Sequence, residues 1–166
     1  MPSKPQPEVT ATLPDHALKK KLGPDVNIRE AFTEEAIAAA DSAIADSRKD
    51  FFGDAADNLQ EMEAAYGQAA ETPAKADKPV KQIERLSHSL KGRSETLGFE
   101  LLAHVSKSLY GFCSTAFRSG EKEQLIVLRK HLDTLQLIVR EKMQGDGGET
   151  GKALIAGLRQ LNAKYA

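Results

Sequence analysis

Arg85-Leu86-Ser87-His88-Ser89-Leu90-Lys91-Gly92-Arg93-Ser94-Glu95-Thr96-Leu97-Gly98 is the stretch on which the reading of this chain turns. His88 stands three residues before Lys91, four before Gly92 and ten before Gly98, which gives the pattern H-x-x-K-G-x5-G. At about 100° per residue with His88 as zero, Leu86, Leu97, Leu90 and Ile83 fall between about 160° and 220°. Such a stripe must face a core. Lys81, Glu84, Arg85, Lys91, Gly92 and Glu95 lie within about 60° of His88 on the opposite side, so the imidazole is expected at the middle of the solvent face. Gly92 then stands out, because glycine in a helix interior costs about 0.5–1 kcal/mol relative to alanine. A glycine one turn beyond an exposed histidine lets a backbone or a phosphoryl group come close, and Lys91 offers a compact positive charge. From the residues alone two readings stand: a plain surface histidine, or an imidazole used in phosphate chemistry.

Outward from this helix the periodicity is helical almost throughout, with little strand-like alternation. Asp77 is expected to cap the histidine helix, with Pro79 in its first turn, and Gly98 to end it in the left-handed conformation. Before it, a helix is expected from Ile28 or Glu34 to Ala70, either continuous or divided at Ser47–Phe52. Its start is marked by Thr33 as cap and by Phe32 and Ile37 as a hydrophobic staple. After it, helices are expected over Phe99–Arg118, Glu121–Met143 and Thr150–Lys164, separated by Ser119-Gly120 and the glycine-rich stretch Gln144–Glu149. Long helices on short loops pack antiparallel, so the class is all-α and the architecture an up-and-down bundle. Residues 1–26 hold five of the seven prolines and the Lys19-Lys20-Lys21 run and are read as a mobile tail, leaving 27–166 as one domain.

With 166 residues and a formal net charge of -1, no long-range field favours nucleic acid or an anionic membrane. The single cysteine, Cys113, excludes an intrachain disulfide framework and fits a reducing compartment. No apolar leader region follows Met-Pro-Ser-Lys-Pro, and no stretch approaches the roughly 18–20 apolar residues of a membrane span. A cytoplasmic protein is expected. Cys113 shares a stripe with Leu102, Val105, Leu109 and Phe117, which reads as a buried, inert thiol. His104 and His131 belong to no cluster at metal-ligand spacing, so no metal is expected. Gly147-Gly148-Glu149-Thr150-Gly151-Lys152 lacks the first glycine and the final hydroxyl residue of a phosphate-binding loop and follows no strand, so it reads as a turn.

His88, Lys91, Gly92 and Gly98 stand in the order and spacing of the motif of histidine-containing phosphotransfer (HPt) domains, and the chain from about Asn27 onward resembles that family. Val139-Arg140-Glu141-Lys142-Met143 and Gly157-Leu158 resemble the helical extension of a group of free-standing bacterial members. The resemblance implies an antiparallel four-helix bundle with additional N-terminal and C-terminal helical segments. It implies a phosphorelay carrier and not an autonomous enzyme: His88 takes a phosphoryl group from an aspartyl phosphate on a receiver domain and passes it to another receiver. Lys91 would stabilise phosphoryl charge. Lys81, Glu84, Arg85, Gly92 and Glu95 would form the docking surface, and Gly98 would close the motif. The implied partners are response-regulator receivers and a hybrid histidine kinase, with a monomeric carrier and no nucleic acid or membrane. The chain itself would bind no cofactor, Mg²⁺ being expected on the receiver. Imidazole attacks in its neutral form, the majority form near neutral pH at a reference pKa of about 6.5. Glu84, one turn before His88, is a candidate acceptor for its Nδ1 proton.

Two positions depart from the family pattern, Arg93 and Glu95 standing where small residues are usual. Arg93 falls off the reactive face. Glu95 falls on it and either opposes an anionic group, selects a partner or pairs with Lys91. Two alternatives follow: a receiver-binding module that sequesters its partner without transfer, and a dimeric phosphotransferase related to sensor-kinase bundles. The second is weakened by Gly92-Arg93 standing where sensor kinases place Thr-Pro, and by the lack of a nucleotide-binding half.

Overall fold

The structure is a computed structural model that describes residues 33–165; the expected tail over residues 1–26, the alternative start at Ile28 and the staple residue Phe32 lie outside the described residues. The chain divides into Met1–Ser42 and a compact unit, Ala43–Ala166. Helix α1 spans Glu34–Glu71, and Thr33 caps it by accepting the Ala36 amide on Oγ1 at 3.1 Å. It continues through Ser47–Phe52, where the Ser47 hydroxyl donates back to the Ala43 carbonyl at 2.8 Å and Phe51 is fully buried. Both keep the chain helical, so a single helix holds there. Its residues 34–50 are exposed, and the buried stripe begins only at Phe51, running through Ala55, Leu59, Met62, Ala65 and Ala69.

A short 3-10 turn, Pro73–Lys75, leads into α2, Asp77–Leu97. Asp77 is not the cap: Ala76 holds that position, and no side chain of α2's own first turn closes it. The loop is held from across the bundle. The Ser119 hydroxyl accepts the Ala76 amide at 3.0 Å and donates to the Pro73 carbonyl at 3.0 Å, and the Gly120 amide donates to the same carbonyl at 2.8 Å. At the other end Gly98 takes φ 75°, its amide donating to the Glu95 carbonyl and that of Phe99 to the Ser94 carbonyl at 2.9 Å, a Schellman ending.

Helix α3, Glu100–Gly111, is shorter than the sequence predicts and passes into a π-helical turn, Phe112–Ala116, closed by the Phe117 amide on the Phe112 carbonyl at 3.0 Å. The hydroxyls of Ser114 and Thr115 both donate to the Gly111 carbonyl, at 3.2 and 2.7 Å. That carbonyl is thereby drawn away from the regular ladder, which widens into the π turn. Helix α4 spans Lys122–Arg140 and α5 spans Gly148–Tyr165.

Four helices close a ring in the compact unit. Phe51 of α1 stacks on Phe99 at 4.5 Å, and Arg93 of α2 pairs with Asp54 while lying over the Phe51 ring. Helices α2 and α3 pack as an antiparallel pair around the Gly98–Phe99 turn. His131 of α4 bonds Ser108 of α3 at 2.9 Å, and Arg129 of α4 returns to α1 through Glu63 at 2.5 Å and the Tyr66 ring at 5.1 Å. Leu90, Leu102, Leu109, Leu128, Leu132 and Leu135 are fully buried between them, each worth about 1.5–3 kcal/mol of transfer free energy. Helix α5 lies outside this ring, with Leu158 buried and the Asn162 amide donating to Ser108 Oγ at 3.0 Å. The all-α antiparallel bundle with a C-terminal addition is the expected architecture.

Candidate functional site

Helix α2 buries Val80, Ile83, Ser87, Leu90 and Ser94, spaced alternately three and four residues apart. Two of these are serines whose hydroxyls are satisfied by the helix itself, Ser87 on the Glu84 carbonyl at 2.9 Å and Ser94 on the Leu90 carbonyl at 2.6 Å. Their small size lets α2 sit close to its neighbours at no unpaired polar cost. With that seam fixed inward, His88 is fixed outward and is exposed.

His88 borders a concavity of about 590 Å³ whose walls also hold Lys78, Lys81, Gln82, Glu84, Arg85 and Tyr110. The Tyr110 ring comes from α3 and lies 5.0 Å from the imidazole, centroid to centroid, with the planes inclined at 48°. Glu84 is committed elsewhere: both its oxygens accept from Lys81 Nζ at 2.8 Å, and this bond raises the Lys81 pKa above its ordinary value. Among the described residues no hydrogen bond reaches the His88 ring, so the expected Glu84–His88 contact is not formed; the lysine one helical turn back captures the carboxylate first. Lys91 is half-buried and pairs with Glu95 at 3.8 Å, the third of the options the sequence leaves for Glu95. At Gly92 an added Cβ would meet nothing within 4 Å.

The expected docking residues therefore separate into two groups. Lys81, Glu84 and Arg85 share the concavity with His88, while Lys91, Gly92 and Glu95 continue along the helix beyond it. Glu95 and Gly98 border a second hollow of about 400 Å³ with His104 and Lys107. Lys78, Gln82 and Tyr110 are wall residues that the sequence reading missed. Tyr110 was within reach of it, since His88 and Tyr110 lie equally far on either side of Phe99 in an antiparallel pair.

Cys113 is buried, and burial, with Glu84 adding to it, pushes the thiol up to about 12. A thiol held that way is no nucleophile near neutral pH. His131 is fully buried; its Nδ1 donates to the Val127 carbonyl at 2.9 Å, which leaves Nε2 to accept from Ser108. Burial lowers its pKa, and the group is structural. Among the described residues no set of three histidine, cysteine or carboxylate side chains is grouped closely enough to hold a metal ion, and no helix is long and apolar enough to cross a membrane.

The Hpt domain family model matches residues 46–141, more than half of the chain. The chain belongs to the Hpt domain family. The Hpt match takes in α1 from its buried half onward, α2, α3 and α4, and ends just after Arg140, so α5 lies beyond it. Comparison with curated proteins and with solved structures finds no match. Hpt domains serve histidine phosphotransfer in phosphorelays, working with receiver domains and histidine kinases.

Proposed function

We propose that His88 is the phosphoryl carrier, accepting the group from an aspartyl phosphate on one receiver domain and passing it to an aspartate on another. The observation that carries this reading is the exposure of His88 at the rim of a concavity whose walls hold three cationic side chains, Lys78, Lys81 and Arg85, against one carboxylate, Glu84, which is paired with Lys81. In the forward step the lone pair of one ring nitrogen attacks phosphorus. The N–P bond forms as the P–O bond to the aspartate breaks, and the carboxylate leaves with the electron pair. Transfer of this kind requires in-line placement and neutralisation of the equatorial oxygens, with little covalent work from the protein. Lys91 contributes positive charge beside the transferred group, and Lys81 and Arg85 attract the acidic rim of the phosphorylation site on the partner. Mg²⁺ is assigned to the receiver.

Incubation with a receiver charged by acetyl phosphate carrying radiolabel is expected to move label onto the chain. Equal labelling of a His88→Gln variant would refute the assignment. The Lys91–Glu95 pair favours one second reading, a receiver-binding module, because the Glu95 carboxylate on the His88 face offsets the lysine's charge there. Stoichiometric receiver binding with no transfer in either direction selects that reading.

A further inference from the structure

We infer that Tyr110 is a positioning residue for His88, its ring holding the imidazole in one orientation at the mouth of the concavity; this rests on the carrier reading above. The imidazole has no polar tether among the described residues, for Glu84 is bound to Lys81 and Glu95 to Lys91. Beside it lies the Tyr110 ring, 5.0 Å away centroid to centroid and inclined at 48°. Aromatic pairs at this spacing and tilt attract each other beyond the area they bury.

Tyr110 has no evident structural duty to explain its place. Tyr66, Phe117 and Tyr165 are partly buried against the core, whereas Tyr110 is half-buried outside it on a wall of the concavity. The inward positions of α3 are already filled by Leu101, Leu102, Val105 and Leu109. A side chain spared by the core and laid against an exposed imidazole restricts that imidazole. Within a helix the χ1 well that runs into the preceding turn is rare, so a contact-free histidine there samples two χ1 wells and a two-fold χ2, about four orientations in all. If one of them is productive, loss of the Tyr110 ring lowers the transfer rate roughly two- to fourfold by dilution alone.

The test is made on the full chain with three variants. In the wild type, the three-bond couplings about the His88 Cα–Cβ bond are expected to report one rotamer. In Tyr110→Ala they should fall to averaged values while the melting temperature stays close to wild type. The same variant is expected to transfer phosphoryl roughly two- to fourfold more slowly at saturating receiver, where a change in receiver affinity no longer enters the rate. Tyr110→Phe should restore both the couplings and the rate, because the ring and not the hydroxyl is the holding group; Tyr110→Leu should restore neither. Averaged couplings in the wild type overturn the proposal whatever the variants do. So do unchanged couplings in Tyr110→Ala, a wild-type transfer rate in it, or a loss confined to receiver affinity. If the wild type takes no label from any charged receiver, the carrier reading fails instead, and the couplings still decide whether Tyr110 orients His88.

Discussion

Replacing Gly92 with alanine sets folding stability against partner docking, and the two are expected to move in opposite directions. Gly92 lies in the interior of α2, exposed, where an added methyl would touch nothing within 4 Å. In the isolated chain the substitution removes the entropic cost of a helical glycine, so stability should rise by about 0.5–1 kcal/mol. For a domain of this size that is an increase in melting temperature of about 1–4 °C. The same methyl projects from the His88 face, and if a receiver backbone packs there it meets an overfilled contact worth about 1 kcal/mol or more. At about 1.4 kcal/mol per tenfold, transfer at limiting receiver should fall at least roughly fivefold. Gly67→Ala is the control, since Gly67 is also helical, exposed and open around its missing Cβ but lies on α1 and not on the helix that carries His88. It should gain the same stability and transfer at the wild-type rate. Urea unfolding and transfer measured on the same preparations decide the matter. A Gly92→Ala protein that is stabilised and transfers normally would refute the idea that the glycine is kept for docking.

Gly98→Ala places a side chain at φ 75° and should destabilise the domain by about 1–2 kcal/mol, read as a lower urea midpoint at unchanged slope. Gly151→Ala would set its Cβ 2.0 Å from the Asp146 carbonyl oxygen, a backbone atom that cannot swing away. A cost of about 1–3 kcal/mol is expected, with faster hydrogen exchange at the Leu101 amide, which donates to the Gly145 carbonyl in the loop before α5. Burial holds the His131 pKa below its ordinary 6.5, so the unfolded chain binds the proton more readily. Stability is therefore fully present above about pH 6.5 and declines as pH falls below it, by at most about 1.4 kcal/mol per unit for this group. Unfolding at pH 7.5 and 5.5 should show that decline in the wild type and a smaller one in His131→Gln; equal declines would refute it.

The spacing from His88 to Gly98 and the apolar stripe behind it were enough to set α2, its exposed histidine and its glycine ending, because these follow from helical phase and from the one residue that takes positive φ without strain. The same local rules set the Thr33 cap and the burial of Cys113. They misplaced the start of α2, since Ser119 and Gly120, more than forty residues away, close the loop that Asp77 was expected to cap. They missed the π turn after Gly111, where two hydroxyls compete for one carbonyl. Around the candidate site, sequence alone determined which side chains share a face of α2. Only the packing of α3 against α2 decided that Tyr110 meets the imidazole. Only the competition among neighbouring charges decided that Glu84 turns to Lys81 and leaves His88 without a polar tether. Phase along one helix is a property of its own residues, whereas the partners of an exposed side chain depend on which other helix arrives beside it and which charge lies nearest.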